Sequence, residues 1–181
     1  VYGWSNNFVQ NLTLFKFVIL VPILLSAFVI DYRLQIIPNR LNLSLFEIGI
    51  IFTFLYGFNN INIAKDMFFG LIAGGGIFLL ITLIGGLIAG KEAMGFGDVK
   101  LMCGLGLMFG LGGTIIVTLL SFLIGAVLSI ILLVSKKKKT SEYIPFGPFI
   151  VIASFISMFV PFVYLATALM KIFTLRFVLK G

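Results

Sequence analysis

Apolar runs close to the length needed to cross a bilayer recur along almost the whole chain, and they restrict what it can fold into. The 181 residues are 61% hydrophobic and 10% charged, and the mean hydropathy is +1.22. In lipid, backbone polar groups must be paired within the spanning element, so runs of roughly 20 apolar residues favour helices. The sequence therefore predicts an all-α protein: a single transmembrane domain over residues 1–181, built as a bundle of about six transmembrane helices.

The boundaries of these six spans are predicted from the polar and glycine-rich segments between the apolar runs. Pro22 falls inside the first span, where neighbouring helices can accommodate it. The fourth span is short and either crosses the bilayer or re-enters it. The predicted spans are residues 12–30, 41–58, 67–89, 99–109 and 114–134, and a sixth that follows the segment 144–148 and reaches about residue 166.

Two aspartates stand out in a sequence that has only six acidic residues. Asp31 follows the apolar residues 27–30, and Asp98 follows Gly95, Phe96 and Gly97. A carboxylate inside or at the edge of a membrane loses hydration, at a cost of about 2.5–3.5 kcal/mol on insertion scales. Two such residues at predicted helix ends indicate a site, although each could singly be an interfacial residue with its carboxylate in water.

The distribution of lysine and arginine predicts the orientation, because short cytoplasmic loops carry an excess of these residues. An N-terminus outside places most of them inside, and it brings Asp31 and Asp98 to the same cytoplasmic edge. The net charge of +7 is then explained by this orientation and by anionic lipid headgroups. The bilayer is thus an expected partner, whereas nucleic acid is not, and the sequence sets no oligomeric state. The inner side would hold Arg33, Arg40, Lys91, Lys100 and Lys136–Lys139; the outer side would hold Lys16, Lys65, Lys171, Arg176 and Lys180.

Two facing carboxyl groups are the minimum that aspartic-protease chemistry requires. Held close together they cannot both be ionised, so the pair shares a proton; one member can activate water while the other polarises the scissile carbonyl. Gly95 and Gly97 lack a Cβ and would let a peptide backbone approach, although glycines also serve helix packing. The chain has no histidine and one cysteine, Cys103, which excludes a Ser-His-Asp triad and a cysteine zinc cluster. No metal or cofactor is predicted.

Three segments, in order, resemble the type IV prepilin peptidases, which are membrane aspartic proteases. Residues 95–101, Gly-Phe-Gly-Asp-Val-Lys-Leu, are similar to the GxGD motif of that family. Asp31 with the downstream residues 37–42, Ile-Pro-Asn-Arg-Leu-Asn, resembles the first catalytic aspartate and the turn that follows it. Residues 144–149, Ile-Pro-Phe-Gly-Pro-Phe, resemble a third segment of the family.

The resemblance implies an aspartic endopeptidase of the bacterial inner membrane that removes leader peptides from prepilins or pseudopilins, after a glycine and at the cytoplasmic face. Leader peptides are then the expected partners, and pilus assembly and protein secretion the expected context. Asp31 and Asp98 would be the catalytic pair. Gly95, Gly97 and the turn at Pro38 and Asn39 would shape the site, and Lys100 would either offset negative charge or anchor the loop at the membrane surface.

The sequence departs from the bifunctional members of that family in one respect. Those members carry an additional N-terminal span and a cytoplasmic segment with CxxC pairs that is linked to methylation, whereas this chain has only Cys103. It is expected to be a peptidase core, without methyltransferase activity, zinc or S-adenosylmethionine.

Two alternative functions remain open from the sequence. One is a presenilin-like protease that acts on transmembrane helices, which the Asp31-Tyr32 order and the Ile-Pro-Phe segment disfavour. The other is a channel or transporter in which the aspartates bind cations or relay protons. The absence of repeat symmetry between the halves of the chain counts against it.

Overall fold

The computed structural model describes residues 2–89, 94–134, 145–160 and 162–178. Within these ranges the chain forms six helices, and four of them, α1 to α4, are long and apolar enough to cross a membrane. The predicted all-α membrane bundle is confirmed. Lys91, Glu92, Lys136–Lys139 and Ile144 lie outside the described residues. The helices are α1 (Tyr2–Leu34), α2 (Asn39–Asn59), α3 (Ile61–Ala89), α4 (Phe96–Val134), α5 (Gly147–Phe159) and α6 (Phe162–Val178).

Helix α4 is divided at Gly110, whose φ of 70° and ψ of −179° are not helical. We call residues 96–109 its first arm and residues 111–134 its second arm. A Cβ on Gly70 of α3 would overlap the main chain of Gly106, and one on Gly74 would overlap the carbonyl of Met102. A rising residue number in α3 thus meets a falling residue number in the first arm. The first arm therefore runs antiparallel to α3.

The second arm runs in the opposite direction along the same helix. A Cβ on Gly74 would lie 3.1 Å from the Thr114 methyl carbon, and the rings of Phe78 and Phe122 are 5.6 Å apart. Residue numbers rise together in α3 and the second arm, so the chain reverses at Gly110. The predicted interruption between spans four and five is this reversal. Only a residue without a Cβ adopts the positive φ at little cost, which explains the glycine.

The reversal defines two ends of the bundle. The aspartate end is the one at which α1 finishes and the first arm begins, and it carries Asp31 and Asp98. The Gly110 end carries the reversal. Chain direction then places the start of α2 at the aspartate end and its last turns at the Gly110 end, where Tyr56 hydrogen-bonds Thr13 of α1 at 2.7 Å.

Two predicted boundaries are wrong. The first span was expected to begin at residue 12, yet α1 begins at Tyr2 and the candidate span is Phe8–Leu34. Lys16, which was expected on the outer side, lies inside this span near the Gly110 end and is only 9% exposed. The sixth span was expected to continue to about residue 166. Instead α5 ends at Phe159 because Val160 is extended, and the sequence continues with Pro161, which disfavours a helical residue before it. The expected basic tail is partly helical, since α6 extends to Val178.

The core is centred on the first arm, which α2 and α3 enclose. Gly49 and Gly104 allow close approach of α2 and the first arm, because a Cβ on either would lie 2.8 Å from a leucine side chain of the other helix. Such contacts between small and large residues replace the hydrophobic driving force that lipid does not supply. The first arm is thus the most deeply packed part of the molecule. Its buried side chains include Leu101, Met102, Leu105 and Met108.

Candidate functional site

Asp31 and Asp98 lie in one cavity at the aspartate end. Asp31 is in the last turn of α1 and Asp98 in the first turn of α4, and each is 3% exposed. The cavity has a volume of about 440 Å³, and both aspartates line it together with residues 35–39, 94–97 and Lys100. The structure therefore brings all seven residues that the sequence singled out to one place. These are Asp31, Asp98, Gly95, Gly97, Lys100, Pro38 and Asn39.

The position of Asp31 follows from the way α1 ends. Gln35 has a φ of 56°, and its N–H donates to the carbonyl of Asp31 at 2.9 Å. The left-handed residue and the 5→1 hydrogen bond are those of a common helix C-cap. Because Gln35 has a Cβ, this conformation is less favourable for it than for glycine. Pro38 is extended and precedes the first turn of α2. The chain thus turns sharply directly after Asp31.

Both carboxyl groups have an oxygen that is buried without a protein partner. Within the described part of the chain, Oδ2 of Asp31 and Oδ1 of Asp98 accept no hydrogen bond. The two side chains are also near enough to interact electrostatically. Buried polar atoms in native proteins are rarely left unpaired, and such exceptions are often functional. The two unpaired oxygens can therefore bind water or a substrate group in the cavity.

The glycine-rich turn at the start of α4, Gly95 to Gly97, is held in place by α2. Asn42, which is 4% exposed, donates from Nδ2 to the carbonyl of Gly97 at 3.2 Å. The N–H of Asp98 donates to the carbonyl of Gly95 at 3.1 Å. A Cβ on Gly97 would lie 3.2 Å from Cβ of Ile37, so the turn packs closely on the loop after α1. Glycine at residue 97 therefore lets the two cavity-lining loops meet.

Lys100 joins the beginnings of α4 and α2 through a polar contact. Its Nζ donates to Oδ1 of Asn39 at 2.7 Å, and both side chains are exposed. The sequence predicted that Lys100 either offsets negative charge or anchors the loop at the membrane surface. It did not predict this contact with Asn39. The lysine connects the second turn of α4 to the start of α2 at the mouth of the cavity.

Gly147 was not among the candidate site residues, although it contacts Asp31. Its main-chain N–H faces the carboxyl group of Asp31. A Cβ on Gly147 would lie 2.5 Å from Oδ2 and 3.0 Å from Cγ of that aspartate, so any side chain there would displace the carboxyl group. The signal that could have found it is its place in segment 144–149, which resembles a family motif. Asn42 was also not among the candidate site residues, although it is the last residue of segment 37–42, which resembles the turn of the same family.

Comparison with known proteins identifies the family of the chain. The type IV leader peptidase family matches residues 18–130 of the chain, a range that contains both aspartates and the glycine-rich turn. The chain belongs to this family. Gly147 lies beyond the matched range, so its place beside Asp31 is seen in the structure alone. No solved structure matches the chain.

Several bacterial relatives carry the name prepilin leader peptidase/N-methyltransferase. The one from Aeromonas hydrophila is 35% identical over 136 residues, which cover 75% of this chain and 46% of the relative. The Pseudomonas aeruginosa protein is 34% identical over 135 residues, with the same two coverages. The Xanthomonas campestris protein is 31% identical over 159 residues, covering 87% of this chain and 51% of the relative. The chain spans about half the length of these curated relatives.

Proposed function

We propose that this leader peptidase family member is an aspartic endopeptidase that removes the leader peptide of type IV prepilins or pseudopilins. The observation that carries the proposal is the pair of buried carboxyl groups, Asp31 and Asp98, in one cavity at the end of the bundle. The names of the relatives support the substrate class. The mature pilin is the expected product, released with an unmethylated N-terminus by this chain alone.

The proposed mechanism uses the pair with one shared proton. The ionised carboxylate takes a proton from a water molecule, whose oxygen attacks the scissile carbonyl carbon. The protonated carboxyl group donates a hydrogen bond to the carbonyl oxygen, which gains negative charge in the transition state. When the tetrahedral intermediate collapses, a proton passes to the leaving amine and the C–N bond breaks. The Asp31 and Asp98 oxygens without protein partners are free for these contacts.

The turn formed by Gly95, Phe96 and Gly97 is the proposed place of the substrate backbone. Gly95 lines the cavity and presents no side chain to it, so an extended peptide can approach the aspartates closely. Gly97 contributes differently, because the place of its missing side chain is next to Ile37. We expect cleavage after glycine, because a glycine in the substrate passes this turn with little steric cost. A bulky residue at that substrate position should block cleavage.

The aspartate end is proposed to face the cytoplasm. Arg33, Arg40 and Lys100 lie at this end. The second arm of α4 also ends here and α5 begins here, and in the sequence Lys136–Lys139 come between these two helices. The Gly110 end has Lys65, on the first turns of α3. By the positive-inside rule the first group belongs inside. In a Cys103→Ala background, Tyr32→Cys should react with a membrane-impermeant thiol reagent from the cytoplasmic side only, and Asn59→Cys from the outer side only.

The decisive experiment compares acid-to-amide variants in a cleavage assay. Asp31→Asn and Asp98→Asn should each lower the rate of cleavage of a prepilin peptide by at least about 10²- to 10⁴-fold, the usual worth of general acid-base catalysis. Glu47→Gln is the matched control, since Glu47 is an exposed acid on α2 outside the cavity. All three variants should insert and unfold like the parent. Near-normal cleavage by either aspartate variant would refute the catalytic assignment.

A further inference from the structure

Lys16 is a buried cation inside a membrane span that the proposed reaction does not use. It lies in α1, two turns inside the span that starts at Phe8, and it is 9% exposed. An unpaired lysine at this depth is costly, so its surroundings must compensate it. Its Nζ donates to the main-chain carbonyl of Met108 at 2.6 Å. The same atom lies 5.4 Å and 5.2 Å from the ring centroids of Phe17 and Tyr56.

The carbonyl that Lys16 binds is one of those that the reversal of α4 leaves without a helical partner. In a continuous helix the carbonyl of Met108 would accept from the N–H of residue 112, but Gly110 interrupts the helix between them. Met108 is thus at the C-terminal end of the first arm, where the helix dipole is negative and a cation is favourable. Lys16 therefore acts as a side-chain cap on this arm, contributed by another helix.

The second arm is matched in the same way with the opposite charge. The carboxylate of Asp66 contacts Gly110, at the N-terminal end of residues 111–134, where the dipole is positive. Thr114 donates to the carbonyl of Gly110 at 2.6 Å. The break in α4 is thus stabilised on both sides by polar groups, and only the group on the first arm comes from α1.

Helix α1 contacts the first arm at two places, one at each end of the arm. Asp31 of α1 shares the cavity with Asp98 at the start of the arm, and Lys16 of α1 holds Met108 at its end. Over its whole length α1 packs mainly on α5 and α2 rather than on α4. Sliding of the arm along α1 is therefore resisted at the Gly110 end by the Lys16 hydrogen bond.

We propose that Lys16 is a positioning residue for the aspartate pair: it fixes the end of the first arm against α1 and thereby fixes Asp98 beside Asp31. The proposal rests on the proposed peptidase function for its catalytic consequence, but not for its structural one. Tyr56 adds a second support, since its ring contacts Lys16 while α2 holds Gly97 through Asn42 at the other end of the arm.

The test compares Lys16→Met, which keeps the length of the side chain but donates no hydrogen bond, with Lys16→Arg, which keeps the charge and the donors. In cleavage of a prepilin peptide, Lys16→Met should lower kcat about 10-fold and leave KM within about 2-fold, because an ångström of misplacement costs up to about 10²-fold in rate. Lys16→Arg should restore most of kcat. Lys65→Met, a change of an exposed lysine near the same end, should behave like the parent.

A second readout does not depend on catalysis. Ile37→Cys and Gly97→Cys in a Cys103→Ala background would place two thiols where the Cβ separation is 3.2 Å. A small outward movement brings this separation into the range of about 3.5–4.5 Å found in disulfides. The rate at which this disulfide forms under mild oxidation reports the position of the arm. It should fall about 10-fold with Lys16→Met and be unchanged with Lys65→Met. If Lys16→Met does not insert, Lys16→Gln, which keeps one donor without the charge, gives the same comparison with a smaller expected loss.

The outcomes separate the two proposals. Unchanged kcat and unchanged disulfide formation in Lys16→Met would overturn the positioning role, and so would a loss of kcat without a loss of disulfide formation. If the parent chain does not cleave prepilin at all while Lys16→Met still slows disulfide formation, the peptidase proposal fails and the positioning role of Lys16 stands.

Discussion

The two ends of the first arm of α4 differ in whether their buried polar groups have hydrogen-bond partners. At the Gly110 end, the Lys16 amine, the Thr114 hydroxyl and the Tyr56 hydroxyl each have a partner within 2.7 Å. At the aspartate end, oxygens of Asp31 and Asp98 are buried and have none in the described chain. One helical segment thus connects an end at which these three buried groups are paired to an end at which two buried carboxylate oxygens are not.

This difference separates the end of the arm that stabilises the fold from the end that is proposed to carry out the reaction. An unpaired buried polar group costs about 1–3 kcal/mol, so it persists only where the rest of the fold outweighs it. The Gly110 end supplies such support through its polar contacts and through backbone contacts between Gly70 and Gly106. Substitutions at the aspartate end should therefore lower activity more than stability, and substitutions at the Gly110 end should first lower stability.

The strongest challenge to this comparison is Gly147→Ala at the aspartate end. The added methyl would overlap the carboxyl group of Asp31 and push it away from Asp98. We expect kcat/KM for a prepilin peptide to fall about 100-fold, as for a misplacement of about 1 Å, with little change in the unfolding temperature in detergent. Gly76→Ala is the control, because a Cβ there has no neighbour within 4 Å. Equal activity of the two variants would show that Gly147 does not set the position of Asp31.

The corresponding change at the Gly110 end is Gly70→Ala. A Cβ there would overlap the main chain of both Gly106 and Gly110, which cannot move aside as a flexible side chain would. Overpacking of this kind costs about 1–3 kcal/mol, so the unfolding temperature should fall clearly. Gly76→Ala, six residues further along α3, should leave stability unchanged or raise it by up to about 1 kcal/mol through helix propensity. A loss of activity without a loss of stability in Gly70→Ala would remove the distinction between the ends.

Much of the fold follows from the sequence because lipid leaves few choices. The runs of apolar residues gave the spans, and the glycines at 110–113 marked the reversal of α4. The first predicted span, residues 12–30, contained Lys16, but the sequence did not predict what this lysine contacts. Its true surroundings, the Met108 carbonyl and the Tyr56 ring, come from distant parts of the chain. The end of α5 at Phe159 was missed although Pro161 follows it closely.

The site could be predicted only in part, for a related reason. Asp31 and Asp98 are conspicuous because acids are expensive in this chain, and Gly95 and Gly97 flank one of them. Gly147 and Asn42 are ordinary residue types, and their importance comes from contacts across the bundle. A close approach such as that of Gly147 to Asp31 depends on how α1 and α5 are placed, which no local pattern encodes.

A smaller effect is expected for Asn42→Leu, which removes the hydrogen bond to Gly97 but keeps the buried volume approximately. Loss of this part-buried hydrogen bond should cost about 0.5–1.5 kcal/mol. If that cost affects the placement of the turn, kcat/KM should drop about 2- to 10-fold. Asn59→Leu, an exposed position at the other end of α2, is the control. An equal drop in the control would assign the effect to the membrane environment of α2 rather than to the turn.

The smallest effect should come from the exposed contact between Lys100 and Asn39 at the mouth of the cavity. Exposed charged contacts contribute about 0.2–1 kcal/mol, so Lys100→Met should lower kcat/KM by no more than about 5-fold. A double-mutant cycle with Asn39→Ala measures the coupling directly, and raising the salt concentration should change it little because only one partner is charged. A coupling far above 1 kcal/mol would make this pair part of the chemistry and extend the aspartate end beyond the buried carboxyl groups. A coupling of about 0.2–1 kcal/mol would agree with a reaction carried out by Asp31 and Asp98 alone. Lys100 would then only connect the beginnings of α4 and α2 at the mouth of the cavity.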